Sequence, residues 1–233
     1  MTPSAEPQPE TPIDIDEALD VAADAFVNDG FDSVSFRRIA SRLGCEESDL
    51  EQLFGSIDQL MVGMLNREYT GMFHAIVDDI ERDPLGGRLS RIYRYVLSAV
   101  YERPLARSLY LMDRDGLNRI MRATHGFAYI PQLAIRSEFI DRMKGAGAVR
   151  PDVDSQAISA VISAVSAGSA LLSPMQDLSE VVDGLAQLLE RAVDSDDLDT
   201  ARGKAEFFKY ATSLAEDTAD RPMHPGVVDV DDD

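Results

Sequence analysis

The chain has 233 residues, 45% of them apolar, which is enough to bury a sizeable core in one large domain or two small ones. Its formal charge of −20 repels phosphate, so composition alone argues against nucleic acid and anionic membrane as partners. A single cysteine, Cys45, excludes an internal disulfide and fits a reducing cytoplasm, and the opening MTPSAEPQPETP has neither the basic region nor the apolar run of a secretory signal.

Residues 1–12 carry four Pro and two Glu with almost no apolar content and read as a disordered arm. The first predicted helix shows Ile15, Leu19, Ala22, Ala23 and Phe26 on one face and ends at Asn28 to Gly30. Ser35 caps a short second helix that runs through Leu43, where Gly44 breaks it. A third is expected from about Glu47 to Phe54. The fourth is long, with Leu60, Met64, Phe73, Ile76 and Ile80 on its inner side, and stops before Pro84. Pro104, Gly116, Gly126, Pro131, Gly145, Pro151 and Pro174 then divide the chain into roughly six more helices. The uncharged run 155–176 contains six Ser between acidic flanks and reads as a buried helix rather than a membrane span. Residues 215–233, ending VDVDDD, read as a disordered acidic tail. No stretch alternates convincingly with period two, so the fold class is all-α, a helical bundle.

Charge is spread unevenly. Residues 1–66 set fourteen carboxylates against Arg37, Arg38 and Arg42, and no Lys or Arg occurs from Leu43 to Asn66. The third helix and its approach display Glu46, Glu47, Asp49 and Glu51.

The run IDEALDVAADAFVNDGFDSVSFRRIASRLG, followed by a short helix, LFGSIDQLM and a long helix, resembles the TetR/AcrR family of bacterial regulators. Ala18, Ala22, Phe26, Gly30, Phe31, Ile39, Ala40, Gly44, Leu50, Phe54 and Leu60 stand at that family's spacing, over the N-terminal quarter of the chain. The resemblance implies a three-helix DNA-binding head over residues 13–55. It also implies a long connecting helix and, over 56–214, a body that encloses a small-molecule pocket and dimerises through a four-helix bundle. Ser35, Arg37, Arg38, Arg42, Ser48 and Gln52 are the candidate DNA contacts. Departures fall on the contacting positions. Glu46 and Glu47 stand where the family usually has a small or basic residue, Glu51 where it has a phosphate-bonding Tyr, Leu53 for a His and Ile57 for a Lys. Each phosphate contact contributes counterion release, so their loss predicts weak operator binding or none. Two readings stay open: a ligand-responsive transcriptional regulator, or a sensor that kept the fold and acts through a protein partner. Arg37, Arg38 and Arg42 serve either as a phosphate clamp or as ion-pair partners of Glu46, Glu47 or Asp49 across the turn.

Residues 82–122 hold nine Arg against four acids. They read as a site for an anionic ligand such as an acyl-coenzyme A, or for an acidic partner; the alternative is a solvated face paired with Glu102, Asp113 and Asp115. Tyr93, Tyr101, Tyr110, Met112, His125, Phe127 and Tyr129 either line a cavity or pack a core. Phe73, Tyr93, Tyr110, Arg119 and His125 are the ligand-binding candidates. The small-residue face of Ala157, Val161, Ala164, Val165, Gly168 and Leu172, with the helix at 178–193, predicts a homodimer. His74, His125 and His224 lie far apart, and HExxH, GxGxxG, P-loop and GxSxG motifs are absent. A metal site, a cofactor and an enzymatic activity are therefore not expected. Cys45 reads as a small buried apolar residue rather than a redox switch. The expected partners are a second copy, a small molecule, and either DNA or a protein, in the cytoplasm and without membrane attachment.

Overall fold

The structure, a computed structural model, describes residues 13–108, 136–172, 178–196 and 199–219, with the side chains at 170–172 and 214–219 left out. Among these residues it is all-α: α1 (Ile15–Asp29), α2 (Phe36–Leu43), α3 (Glu47–Phe54), α4 (Ile57–Arg82), α5 (Leu89–Tyr101), α6 (Pro104–Arg107), α7 (Ser137–Gly145), α8 (Ser155–Leu172), α9 (Leu178–Ala192) and α10 (Thr200–Ala219), with a 3-10 turn at Phe31–Ser33. Two compact units, Met1–Leu65 and Asn66–Asp233, divide within α4.

In the first unit each helix begins and ends for a local reason. Asp14 caps α1, its carboxylate accepting from the Asp16 N–H at 2.9 Å, and Gly30 ends it at φ 82°. Ser35 caps α2 through its hydroxyl, and Gly44 closes it in the left-handed conformation at φ 72°, where a side chain would be strained. At the start of α3 the Asp49 carboxylate accepts from the Glu46 N–H at 3.1 Å. Phe26, Ile39, Ala40, Leu50, Leu60, Met61, Met64 and Leu65 are all buried, and burial of each large side chain contributes about 1.5–3 kcal/mol. The buried stripe of α1 is Ala18, Leu19, Val21, Ala22, Ala25 and Phe26. Ile15, expected inside, is 50% exposed because α1 overhangs its core by one turn; Ala23 lies at the edge of the stripe.

In the second unit Leu89, Ile92, Tyr93, Val96, Leu97 and Val100 form one buried face of α5, which packs along Leu178, Val182, Leu185 and Leu189 of α9. Between α7 and α10, Phe139 stacks on Tyr210 with ring centres 5.0 Å apart and meets Phe207 edge-on. Two long-range contacts tie the loop between α4 and α5 to the chain's later part. Gly87 lies against the first turn of α10 so closely that a Cβ there would sit 2.0 Å from the Thr200 carbonyl oxygen, and one on Gly203 2.1 Å from that of Gly87. The buried Asp194 carboxylate accepts from the Ser90 N–H at 3.2 Å and from its hydroxyl at 2.5 Å, capping α5 from 104 residues away.

Asp194 carries two measurable consequences. Asp194→Ala should destabilise the protein by about 2 kcal/mol in urea unfolding, because it leaves two buried donors of Ser90 without an acceptor. Burial pushes the Asp194 carboxyl above its ordinary range, against the opposing pull of the Ser90 hydrogen bonds. The folded state therefore binds that proton more tightly than the unfolded chain. Its stabilising contribution is complete below the ordinary Asp range and is lost as pH rises through the folded value, and Asp194→Asn should flatten that part of the stability–pH curve.

Candidate functional site

The helix-turn-helix geometry of the first unit places α3 with Leu50 buried and Ser48, Glu51, Gln52 and Leu53 exposed, Glu47 and Asp49 half-exposed. Ser48 and Gln52, one turn apart, share that outer face with Glu51. Ser35 is exposed, its hydroxyl engaged in capping α2.

All three arginines of this unit are ion-paired. Arg37 Nε meets Glu47 at 2.9 Å, Arg38 meets Asp29 at 2.5 Å and Arg42 meets Asp24 at 3.4 Å. Pairing across the turn to α3 therefore holds for Arg37 alone. Arg38 and Arg42, one turn apart on the same side of α2, instead reach Asp29 and Asp24 of α1. These pairs are solvent-exposed and each contributes about 0–1 kcal/mol, so a phosphate competes with the carboxylate for the guanidinium rather than finding it open.

Cys45, in the turn before α3, is half-buried rather than buried. Burial raises the thiol's pKa, with Asp49 and Glu46 adding to the effect, which keeps it protonated and unreactive at neutral pH.

In the second unit Phe73 is half-buried on α4, and Tyr93 is buried on α5, where desolvation drives its hydroxyl well above the usual phenol range. Tyr110, Arg119 and His125, with Met112, Phe127 and Tyr129, lie outside the described residues. A cleft of about 670 Å³ opens between α4 and α5, lined by Asp79, Arg94, Tyr95, Ser98, Glu102 and Arg103, and it includes neither Phe73 nor Tyr93. Arg103 lies over Gly71, whose missing side chain leaves room for the guanidinium, and is held by Glu68 at 3.2 Å.

Four described arginines of the basic region pair with acids other than Glu102, while Asp113 and Asp115 lie outside the described residues. Arg82 meets Asp78 and Asp79, Arg88 meets Glu190, Arg91 meets Asp83, and Arg94 meets Asp183 at 3.0 Å. Nearness in sequence suggested Glu102, but the partners come from α4, the loop after it and α9. Asp83 is the best served: burial pushes its carboxyl up, yet the Leu85 N–H, the Tyr95 hydroxyl, Arg91 and Lys204 together hold it below the usual range. Tyr95, half-buried and donating to Asp83 at 2.8 Å, is pushed up to about 12.

On α8, Ala157, Val161 and Ala164 are exposed and Val165 and Gly168 half-exposed, while Ile162 is buried; the side chain of Leu172 lies outside the description. Val161 on α8 is 54% exposed and Leu188 on α9 67%. A second cleft, of about 400 Å³ between α7 and α10, is lined by Arg142, Arg202, Glu206 and Lys209. Sequence reasoning missed it, although Arg202 and Lys209, seven residues apart, already share one helix face. Among the described residues no helix is long and apolar enough to cross a membrane, and no group of three His, Cys, Asp or Glu could hold a metal ion.

No family model and no curated protein matches the chain. Solved structures do. The fatty acid degradation regulator FadR from Bacillus halodurans superposes with a TM-score of 0.54 at 14% identity, covering 76% of this chain and 97% of that one. FadR from Bacillus subtilis, solved in complex with stearoyl-CoA, gives 0.54 at 12% identity with the same coverage. A TetR-like transcriptional regulator from Rhodococcus sp. RHA1 gives 0.51 at 17%, covering 76% and 93%. All three are named as regulators, and at this identity the likeness is one of fold. The chain has the fold of the TetR-like regulators.

Proposed function

We propose that the chain is a homodimeric, small-molecule-responsive regulator of transcription whose operator affinity is weak at physiological salt. One observation carries the second half of that reading. The head's three basic side chains are each engaged by a carboxylate, while α3 turns Glu51 outward beside Ser48 and Gln52. Ser35, Arg37, Arg38, Arg42, Ser48 and Gln52 remain the groups that would meet DNA. A gel shift of genomic fragments at about 20 mM and about 150 mM salt tests it. Binding confined to low salt supports the reading, and tight specific binding at the higher salt removes it.

The ligand-binding body is residues 56–214. Phe73, Tyr93, Tyr110, Arg119 and His125 are its candidate pocket residues, and an acyl-coenzyme A is the first ligand class to test, since FadR from Bacillus subtilis was solved with stearoyl-CoA. A ligand that orders this body can bias the heads only through differential affinity for two arrangements, and α4, which belongs to both units, is the element that would carry the bias. The expected location is the cytoplasm.

Exposed apolar side chains at Val161 and Leu188 support α8 and α9 as the dimer surface, with the small Ala157, Ala164 and Gly168 allowing close approach and Leu172 extending the same face. Light scattering at micromolar concentration should give a dimer for wild type and a monomer for Val161→Glu with Val165→Glu. A monomeric wild type would remove the assignment.

A second reading, a fold-retaining sensor that works through a protein partner, is favoured by Leu53. An apolar side chain 41% exposed on the outer end of α3 suits a protein surface better than a phosphate backbone.

A further inference from the structure

We propose that the acidic C-terminal segment, residues 220–233, docks in the basic cleft between α7 and α10. In that cleft cations outnumber anions. Arg142, Arg202 and Lys209 line it, with Glu206 the one carboxylate among its lining residues. Three cationic side chains meet one anionic one in its lining, in a chain whose net charge is −20.

The cations are held in place but not fully neutralised. Arg142 is 3.8 Å from Glu206 and 3.3 Å from Glu138, and its guanidinium lies 5.2 Å from the centre of the Tyr210 ring, which fixes its orientation. Lys209 is 3.8 Å from the same Glu206, and Arg202 makes no ion pair among the described residues. Glu206 thus serves two cations at long range, one of which also has Glu138, and Arg202 beside them has no ion-pair partner among the described residues.

The occupant is set by charge and by reach. Residues 220–233 carry five Asp against Arg221, four of them in the last five positions. They continue directly from α10, which is one wall of the cleft. Ala219 lies ten residues past Lys209, about 15 Å along the helix. The ten residues from Ala219 to Asp229 span up to about 33 Å when extended, enough to reverse and return, and Pro225-Gly226 is a turn signal in between. A free anion is repelled by the whole chain, whereas a tethered one is present at an effective concentration on the order of millimolar.

The test uses the full chain carrying Cys45→Ser and Asp232→Cys, with a nitroxide at position 232 and amide signals read by NMR. At about 25 mM salt the signals of Gly145, Ala146, Arg202 and Ala205 should be broadened away. They should return at about 500 mM, where the Debye length falls from roughly 20 Å to about 4 Å. They should also return in the low-salt sample when Arg202→Glu and Lys209→Glu are added, and in a chain with the cleft untouched but Asp229→Asn, Asp231→Asn and Asp233→Asn. Sharp cleft signals at low salt would overturn the proposal, and so would broadening indifferent to either set of changes. Broadening carried wholly between labelled and unlabelled chains in a mixed sample would move the contact to a second copy and overturn the contact within one chain.

Discussion

Gly87→Ala should lower stability by about 3 kcal/mol, and Gly203→Ala by a similar amount, although alanine is the better helix former of the two residues. The added Cβ would lie 2.0 Å from the Thr200 carbonyl oxygen in the first case and 2.1 Å from that of Gly87 in the second, and both obstacles are backbone that cannot rotate aside. Gly203 is the sharper test because the sign is reversed there. In an unobstructed helix the change would stabilise by about 1 kcal/mol, as it should at Gly63, where the new carbon would meet only a Leu19 methyl at an ordinary 3.6 Å. Thermal unfolding reads the difference, since about 3 kcal/mol corresponds to a fall of roughly 6–12 °C for a chain of this length. A Gly203→Ala variant as stable as Gly63→Ala would show that the two backbones do not approach as described.

Charge reversal on α3 should create DNA binding where wild type has little. Glu46→Ser, Glu47→Lys and Glu51→Tyr together remove three carboxylates from the helix and its approach, add one cation and release Arg37 from its 2.9 Å pair with Glu47. Two recovered phosphate contacts of about 1.5 kcal/mol each raise affinity for the DNA flanking its own gene by about 10²-fold. They also steepen the slope of log affinity against log salt by about two. Anisotropy titrations of both proteins at several salt concentrations measure the two effects. No gain in the variant would place the deficit somewhere other than charge, and specific nanomolar binding by wild type at about 150 mM salt would show that Arg38 and Arg42 leave their carboxylates for phosphate at little cost.

The head was legible almost to the residue because its signals are local. Ser35 and Gly44 bracket α2, and the expected span of α3 from Glu47 to Phe54 is the one observed. Ion-pair partners were not legible, because they depend on which faces meet. Asp29 lies nine residues before Arg38 and Asp24 eighteen before Arg42, and no spacing rule within one helix connects them. The same limit applies to the body, where Arg94 finds Asp183 across the α5–α9 packing and Ser90 finds Asp194. Helix periodicity placed Leu60, Met64, Ile76 and Ile80 inside, and all four are fully buried. It put Phe73 there too, and that ring is half-exposed at the edge of the stripe. The cleft of Arg142, Arg202 and Lys209 joins two segments about sixty residues apart in sequence, each unremarkable alone.

The position of Gly203 and Asp194 bears on the order in which the protein can be made. The first unit is a compact unit within the first 65 residues, so it is able to close while the rest of the chain is still being synthesised. Gly87 in the loop and Ser90 in the first turn of α5 wait for partners at 194 and 200–204, more than a hundred residues later. Until those residues leave the ribosome, the start of α5 lacks its cap and the apolar face it shares with α9 stays open to solvent. The second unit is thus the stretch on which a chaperone would act during translation, and a ribosome stalled before residue 190 should present a protease-resistant head followed by a cleavable α5.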